Sequence, residues 1–235
     1  MRPTLVLAPL MLAMACLLPS LTRAEQGHDA SARIIYLVRH GHYDADPDAD
    51  RDLGPGISAL GVAQSKLLGS RLSGLPTFDQ LYVSPMQRAQ DTAAALSGSL
   101  TDPRFDTLVD LRECTPPTWR DVVTADQSPQ QLARCAEQLE RLFRAHFRPA
   151  ANAPSQELMV CHGNVIRYLI TRALGVDSKA WLEMSVSHAS ITRIRIEADG
   201  SYKLVGAGDV GHLPPNMHTG ATGDADWDLV VPALP

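Results

Sequence analysis

Short apolar runs alternate with helical-period segments from residue 34 onward. Ile34-Ile35-Tyr36-Leu37-Val38 is continuous and rich in β-branched residues, as in a strand buried on both faces of a parallel sheet. It stops at Arg39-His40-Gly41-His42. The acidic stretch 44–56, with its Pro and Gly residues, reads as a loop. Ser58 then caps a helix to about Leu72, with Leu60, Gln64, Leu67, Leu68 and Leu72 at helical spacing. Gln80 to Val83 forms a second strand, and Ser84-Pro85 opens a helix that carries Arg88. Residues 101–128, rich in Pro, Asp and Thr, read as a loop covering a site. Ser128-Pro129 starts a helix with Leu132, Leu139, Leu142 and Phe143 on one face. Glu157 to Cys161 is a third strand ending at a histidine, and Val165 to Leu174 is a helix stopped by Gly175. Ile191, Ile194 and Ile196 lie in a strand that turns at Asp199-Gly200 into Tyr202–Val205, a hairpin. The order predicts an α/β fold: a mostly parallel central sheet with helices on both faces and an antiparallel edge hairpin.

The N-terminal segment has its own pattern. A positive start at Arg2 precedes an apolar run from Leu5 to Leu18, then Thr22-Arg23-Ala24. At about 14 residues the run is shorter than the roughly 20 that span a bilayer. It predicts a secretory signal peptide over 1–24, cleaved near Ala24, and a secreted or periplasmic protein without stable membrane insertion. An uncleaved anchor or a buried helix is the plainer alternative. Residues 25–33 read as a flexible polar segment. Residues 25–235 read as one domain, with a core at about 33–215 and an extended tail over 216–235.

Composition narrows the partners. The chain of 235 residues carries a formal charge of −5, and its first 24 residues hold two arginines and no acid, so the remainder carries −7. An acidic body argues against nucleic-acid binding, and any anion must be held by a local cluster of cations. Outside the leader, Cys114, Cys135 and Cys161 are an odd set that admits one disulfide and no framework. Cys161, at the end of an apolar run, reads as a buried hydrophobe.

The candidate chemistry lies at two strand ends. Ligands of open α/β sheets bind at the carboxyl ends of strands, so His40-Gly41 and His162-Gly163 face one crevice. Arg39 precedes the first histidine, Arg88 sits in a first helical turn after the second strand, and Glu113 supplies a carboxyl from the long loop. Two arginines and two histidines there make an anion site, because guanidinium forks match phosphate oxygens and helix N-termini reinforce them. Singly, each residue has a plainer reading: a core histidine, a solvent-facing arginine, a surface acid. The combination and its order carry the argument. His42, His188 and His212 have no metal-ligand spacing.

These residues resemble the histidine phosphatase superfamily, the phosphoglycerate mutase-like group, whose hallmark is Arg-His-Gly after the first strand. The likeness runs through Ile57-Ser58-Ala59-Leu60-Gly61-x-x-Gln64, Ser84-Pro85-Met86-x-Arg88-Ala89-x-x-Thr92, Leu111-Arg112-Glu113 and His162-Gly163-Asn164-Val165-Ile166-Arg167, covering about 33–215. Tyr43, Tyr168, Trp181-Leu182, Ser190-Ile191-Thr192 and Gly208-Asp209-x-Gly211-x-x-Pro214-Pro215 are similar to a branch of mitochondrial serine/threonine-protein phosphatases. That branch has serine where Gly41 stands, and an anchor and an activation segment not seen in this sequence.

The resemblance implies a phosphomonoester hydrolase of serine/threonine or broad type. His40 would be the nucleophile, forming a phosphohistidine. Arg39, Arg88 and His162 would bind the phosphate oxygens, with a weaker part for Asn164. Glu113 would act as acid and then base. No cofactor or metal is implied, and the partner is a phosphorylated protein or small phosphate ester. Oligomeric state is not encoded legibly. The competing readings are a phosphoglycerate mutase, for which the stretch between Thr92 and Leu132 is short, and a non-catalytic phosphate-binding module on the same fold.

Overall fold

The structure, a computed structural model, describes residues 30–221. Six strands form the central sheet: β2 (Arg33–Arg39), β3 (Gln80–Val83), β4 (Phe105–Thr107), β6 (Ser155–Cys161), β7 (Ile191–Ile196) and β8 (Tyr202–Asp209). Their order is β4-β3-β6-β2-β7-β8. The first four are parallel, whereas β7 runs antiparallel to β2 and to β8. A separate pair, β1 (Ala30–Ser31) and β5 (Ala150–Ala151), draws in part of the segment read as flexible.

Successive side chains of a strand point to opposite faces, so each central strand feeds two cores. Ile35, Leu37, Met159 and Cys161 pack on one side with α3 (Pro129–His146) and α4 (Gly163–Leu174). Tyr36, Val38, Leu158 and Val160 pack on the other with α1 (Ala59–Leu72) and α2 (Gln87–Ser97). Continuous apolar sequence in β2 and β6 follows from burial on both faces.

The helix ends follow local chemistry. The Ser58 side chain accepts from the Gly61 amide at the start of α1, and Ser128 with Gln131 forms a complete capping box on α3. Ser84 does not cap α2: that helix starts at Gln87, and Ser84 Oγ meets His162 Nε2 at 2.7 Å instead. The long loop contains an element the pattern concealed. Phe105–Thr107 adds to β3 as an edge strand, three residues too short and too exposed to show alternation. Gly41 and Gly61 let the end of β2 approach α1: a Cβ on Gly41 would lie 2.7 Å from Gly61 O, and one on Gly61 would lie 2.1 Å from His42 O.

Cys114 and Cys135 form the disulfide, with Cα atoms 5.7 Å apart, and Cys161 is a buried free thiol. The bridge fastens the segment following Glu113 to α3. With its ends separated by 21 positions in sequence, loss of this crosslink is expected to destabilise the fold by about 3 kcal/mol. Urea unfolding of Cys135→Ser beside the oxidised wild type checks this; equal midpoints would refute it.

Candidate active site

β2 and β6 are neighbours in parallel register, Arg39 opposite Cys161, and the His40 amide donates to Cys161 O at 2.9 Å. The histidines that follow the two strands therefore emerge side by side, with ring centroids 5.1 Å apart. His40 Nδ1 lies 2.8 Å from Gly41 O. A carbonyl only accepts, so Nδ1 carries the hydrogen and Nε2 presents its lone pair. Arg88 Nε donates to that Nε2 at 3.1 Å, and the Arg88 guanidinium lies over the Tyr43 ring at 5.2 Å.

His162 is fully buried and forms the N-cap of α4, directing that helix N-terminus into the site. Its Nδ1 lies 3.6 Å from Glu113 Oε2, beyond hydrogen-bond distance, and both atoms are buried without a hydrogen-bond partner among the described residues. Glu113 Oε1 accepts from the Asn164 amide at 3.1 Å. The structure thus brings His40, Arg39, Arg88, Glu113, His162 and Asn164 into one crevice. Asn164 is placed differently from a phosphate ligand: its Nδ2 donates to Cys114 O and its Oδ1 accepts from Arg167 Nη2. It holds the Glu113 segment in place. Arg112, beside it, donates to the Asp52 carbonyl and ties that segment to the 44–56 loop.

Arg39 reaches across the start of α4, its Nε 3.4 Å from where a Cβ on Gly163 would stand. Its Nη1 donates to Val186 O and Gly220 O at 2.6 and 2.8 Å, and its Nη2 lies 3.0 Å from His188 Nε2. Sequence reasoning passed over His188 after setting aside a zinc role. The available signal was topological: a strand antiparallel to β2 begins where β2 ends, so residues just before β7 reach the same crevice. The Arg39 amide donates to Ser190 O and the Ala189 amide to His40 O, which fixes that approach. Residues 214–220 also return to the site. Gln64 Nε2 donates to Met217 O and Thr219 Oγ1.

The electrostatics follow from burial beside fixed cations. Burial, then electrostatic interaction with the neighbouring His162, Arg39 and Arg88, holds His40 well below the usual histidine range. Burial followed by Arg88 and Arg39 does the same to His162. His188 is pushed down to about 2 by burial, Arg39, His42 and Arg88. All three rings are neutral at pH 7, and the positive charge rests on the arginines. Among the described residues, no group of three or more His, Cys, Asp or Glu converges as a metal-ligand set.

Parallel strands ending in a cationic crevice, with a neutral histidine at its floor, define an enzyme class that handles phosphate. Residues 35–209 match the histidine phosphatase superfamily (branch 1), and the chain belongs to that superfamily and is a phosphatase. It is 35% identical over 204 residues to the mitochondrial serine/threonine-protein phosphatase Pgam5 of Caenorhabditis elegans, covering 82% of this chain and 68% of the relative. The corresponding Xenopus tropicalis protein is 35% identical over 192 residues, covering 79% and 67%. Phosphoglycerate mutase from Plasmodium falciparum shares the fold with a TM-score of 0.54 at 25% identity, covering 78% of this chain and 95% of that one. Phosphoglycerate mutase from Bacillus anthracis does so at 0.59 and 18%, covering 79% and 96%, a likeness of fold alone.

The relatives correct one expectation. The Caenorhabditis and Xenopus relatives are mitochondrial proteins, which overturns the secreted or periplasmic location inferred from the leader. The reason lies in the signal used: an apolar run behind a positive residue reports only length and hydrophobicity. Residues 1–24, on which that inference stood, lie outside the described residues. Among the described residues, no helix is long and apolar enough to cross a membrane.

The depressed histidines set a pH dependence of stability. An unfolded histidine titrates near 6.5, so below that pH the unfolded chain binds protons that the folded site refuses, and stability rises with pH. These three groups have no effect above about pH 7; each is expected to cost up to about 1.4 kcal/mol per pH unit below about 6. Urea midpoints at pH 7, 6 and 5 test this. A flat series would contradict the neutral histidine cluster.

Proposed function

We propose that the chain hydrolyses phosphomonoesters through a phosphohistidine on His40, without a metal, and that its substrates are phosphoserine or phosphothreonine side chains of proteins. The observation that carries the mechanism is the His40 ring, whose Nδ1 hydrogen is held by Gly41 O and whose Nε2 lone pair faces the arginine cluster. The substrate class rests on the names of the Caenorhabditis and Xenopus relatives.

In the first step Nε2 attacks phosphorus, an N–P bond forms and the ester P–O bond breaks. The leaving oxygen takes a proton from Glu113, whose Oε2 faces His162 across the crevice. The phosphate dianion itself favours the protonated carboxyl by like-charge repulsion. Arg88, Arg39 and the His162 Nδ1 edge stabilise charge on the equatorial oxygens, and the N-terminus of α4 adds to them. In the second step the Glu113 carboxylate takes a proton from water as water attacks phosphorus. The N–P bond breaks, phosphate leaves and Nε2 regains its lone pair. Asn164 positions Glu113 through the 3.1 Å amide contact.

Turnover of a phosphoserine peptide in excess chelator is expected to leave acid-labile, base-stable phosphate on His40. His40→Ala should lose that label and more than about 10⁴-fold in rate, as removal of a covalent nucleophile does. Residual turnover near wild type, or full dependence on added metal, would reject the mechanism.

Glu113→Gln separates the two roles of the acid. In single-turnover phosphorylation it should cost about 10²–10⁴-fold on an alkyl ester such as phosphoserine. A nitrophenyl ester, whose leaving group needs no proton, should lose far less. Equal losses on both would assign Glu113 to positioning.

A further inference from the structure

His188 belongs to no motif and has no part in the steps above, yet it is 7% exposed and stands among the reacting groups. Its ring centroid is 5.4 Å from that of His40 and 5.6 Å from that of His42. Both ring nitrogens are engaged. Nε2 lies 3.0 Å from Arg39 Nη2, and Nδ1 lies 3.0 Å from Thr219 Oγ1. An arginine has no acceptor, so the guanidinium must donate to Nε2, and Nδ1 must carry the hydrogen that Thr219 Oγ1 receives. The tautomer is therefore set from outside the ring. The same ring is a side-chain member of the cradle that holds Arg39, to which the carbonyls of Val186 and Gly220 also belong.

We propose that His188 is a positioning residue: its Nε2 fixes the plane of the Arg39 guanidinium toward the phosphate, and the 217–220 segment locks the ring in the tautomer that can do so. The inference rests on the reading of Arg39 as a phosphate ligand. A charged imidazole could not accept from Arg39, and burial beside that arginine keeps this one neutral. The packing behind it is close. Gly220 has φ +66, and a Cβ there would lie 2.6 Å from the His188 ring, so only glycine brings its carbonyl to Arg39 with the ring in place. The His188 amide also donates to Thr219 O at 2.9 Å, which registers the segment against the ring. Misplacement of a binding fork by about an ångström can cost on the order of 10²-fold in rate.

The test uses the full chain, a nitrophenyl phosphate assay and inorganic phosphate as competitive inhibitor. His188→Ala should lower kcat/KM about 10- to 100-fold and raise the phosphate inhibition constant by about 10-fold. His188→Gln, whose side-chain oxygen can accept from Arg39 but cannot titrate, should recover to within about five-fold of wild type with an unshifted acidic limb of the pH profile. On an Arg39→Lys background, His188→Ala should add less than about two-fold, because the partner it orients is gone. The inference is overturned if the Ala variant stays within about two-fold of wild type, if Ala and Gln lose equally, or if the two losses multiply. If Arg39→Lys leaves phosphate inhibition unchanged, the reading of Arg39 fails instead. Should His188→Ala not fold, Thr219→Val decides: phosphate inhibition weakened about three- to ten-fold supports the lock, and no change refutes it.

Discussion

Because β2 and β6 pair in parallel from Arg33–Ser155 to Arg39–Cys161, the two strands leave the sheet at the same level. That register is the constraint on which the site depends. A shift of one residue would turn every side chain to the opposite face, exchanging the α1–α2 core for the α3–α4 core. It would also separate His40 from His162. The register is held by burial on both faces, Ile35 and Leu37 packing into one core and Tyr36 and Val38 into the other. The chemistry at the strand ends thus inherits its precision from apolar packing beneath it.

Charge in the crevice is distributed unevenly. Arg39 and Arg88 stay cationic, whereas His40, His162 and His188 are kept neutral by burial and by those same arginines. A neutral imidazole is a nucleophile or an acceptor; a charged one is neither. The arginines therefore do two things at once: they make the crevice cationic and they keep the neighbouring His40 ring unprotonated. Gathering like charges in a buried place is costly, and an anion bound there would offset that cost.

Glu113 lies on no regular element, and its placement is assembled from several weak anchors. The Asn164 amide and side chain hold the segment to α4, Arg112 holds it to the Asp52 carbonyl, and the Cys114–Cys135 bridge holds it to α3. Fastening a loop this way leaves its outer part, around Trp119 and Val122, exposed.

Much of this was legible along the chain. The buried strands, the Ser58 and Ser128 caps and the histidines at two strand ends follow from short-range pattern, which is local and strong. Arg39, His40, Arg88, Glu113 and His162 were recognisable because each stands in a short ordered motif. Tertiary structure alone decided the remainder. That Asn164 serves Glu113, that Ser84 meets His162 in place of capping α2, and that Cys114 selects Cys135 are contacts between segments whose separation in sequence carries no periodic trace. His188 is the sharpest case. It is 149 residues from Arg39, in a stretch without a motif. Only the antiparallel docking of β7 beside β2 converts that distance into a 3.0 Å contact, because hydrogen-bonded strand pairing is satisfied by backbone groups that every sequence possesses.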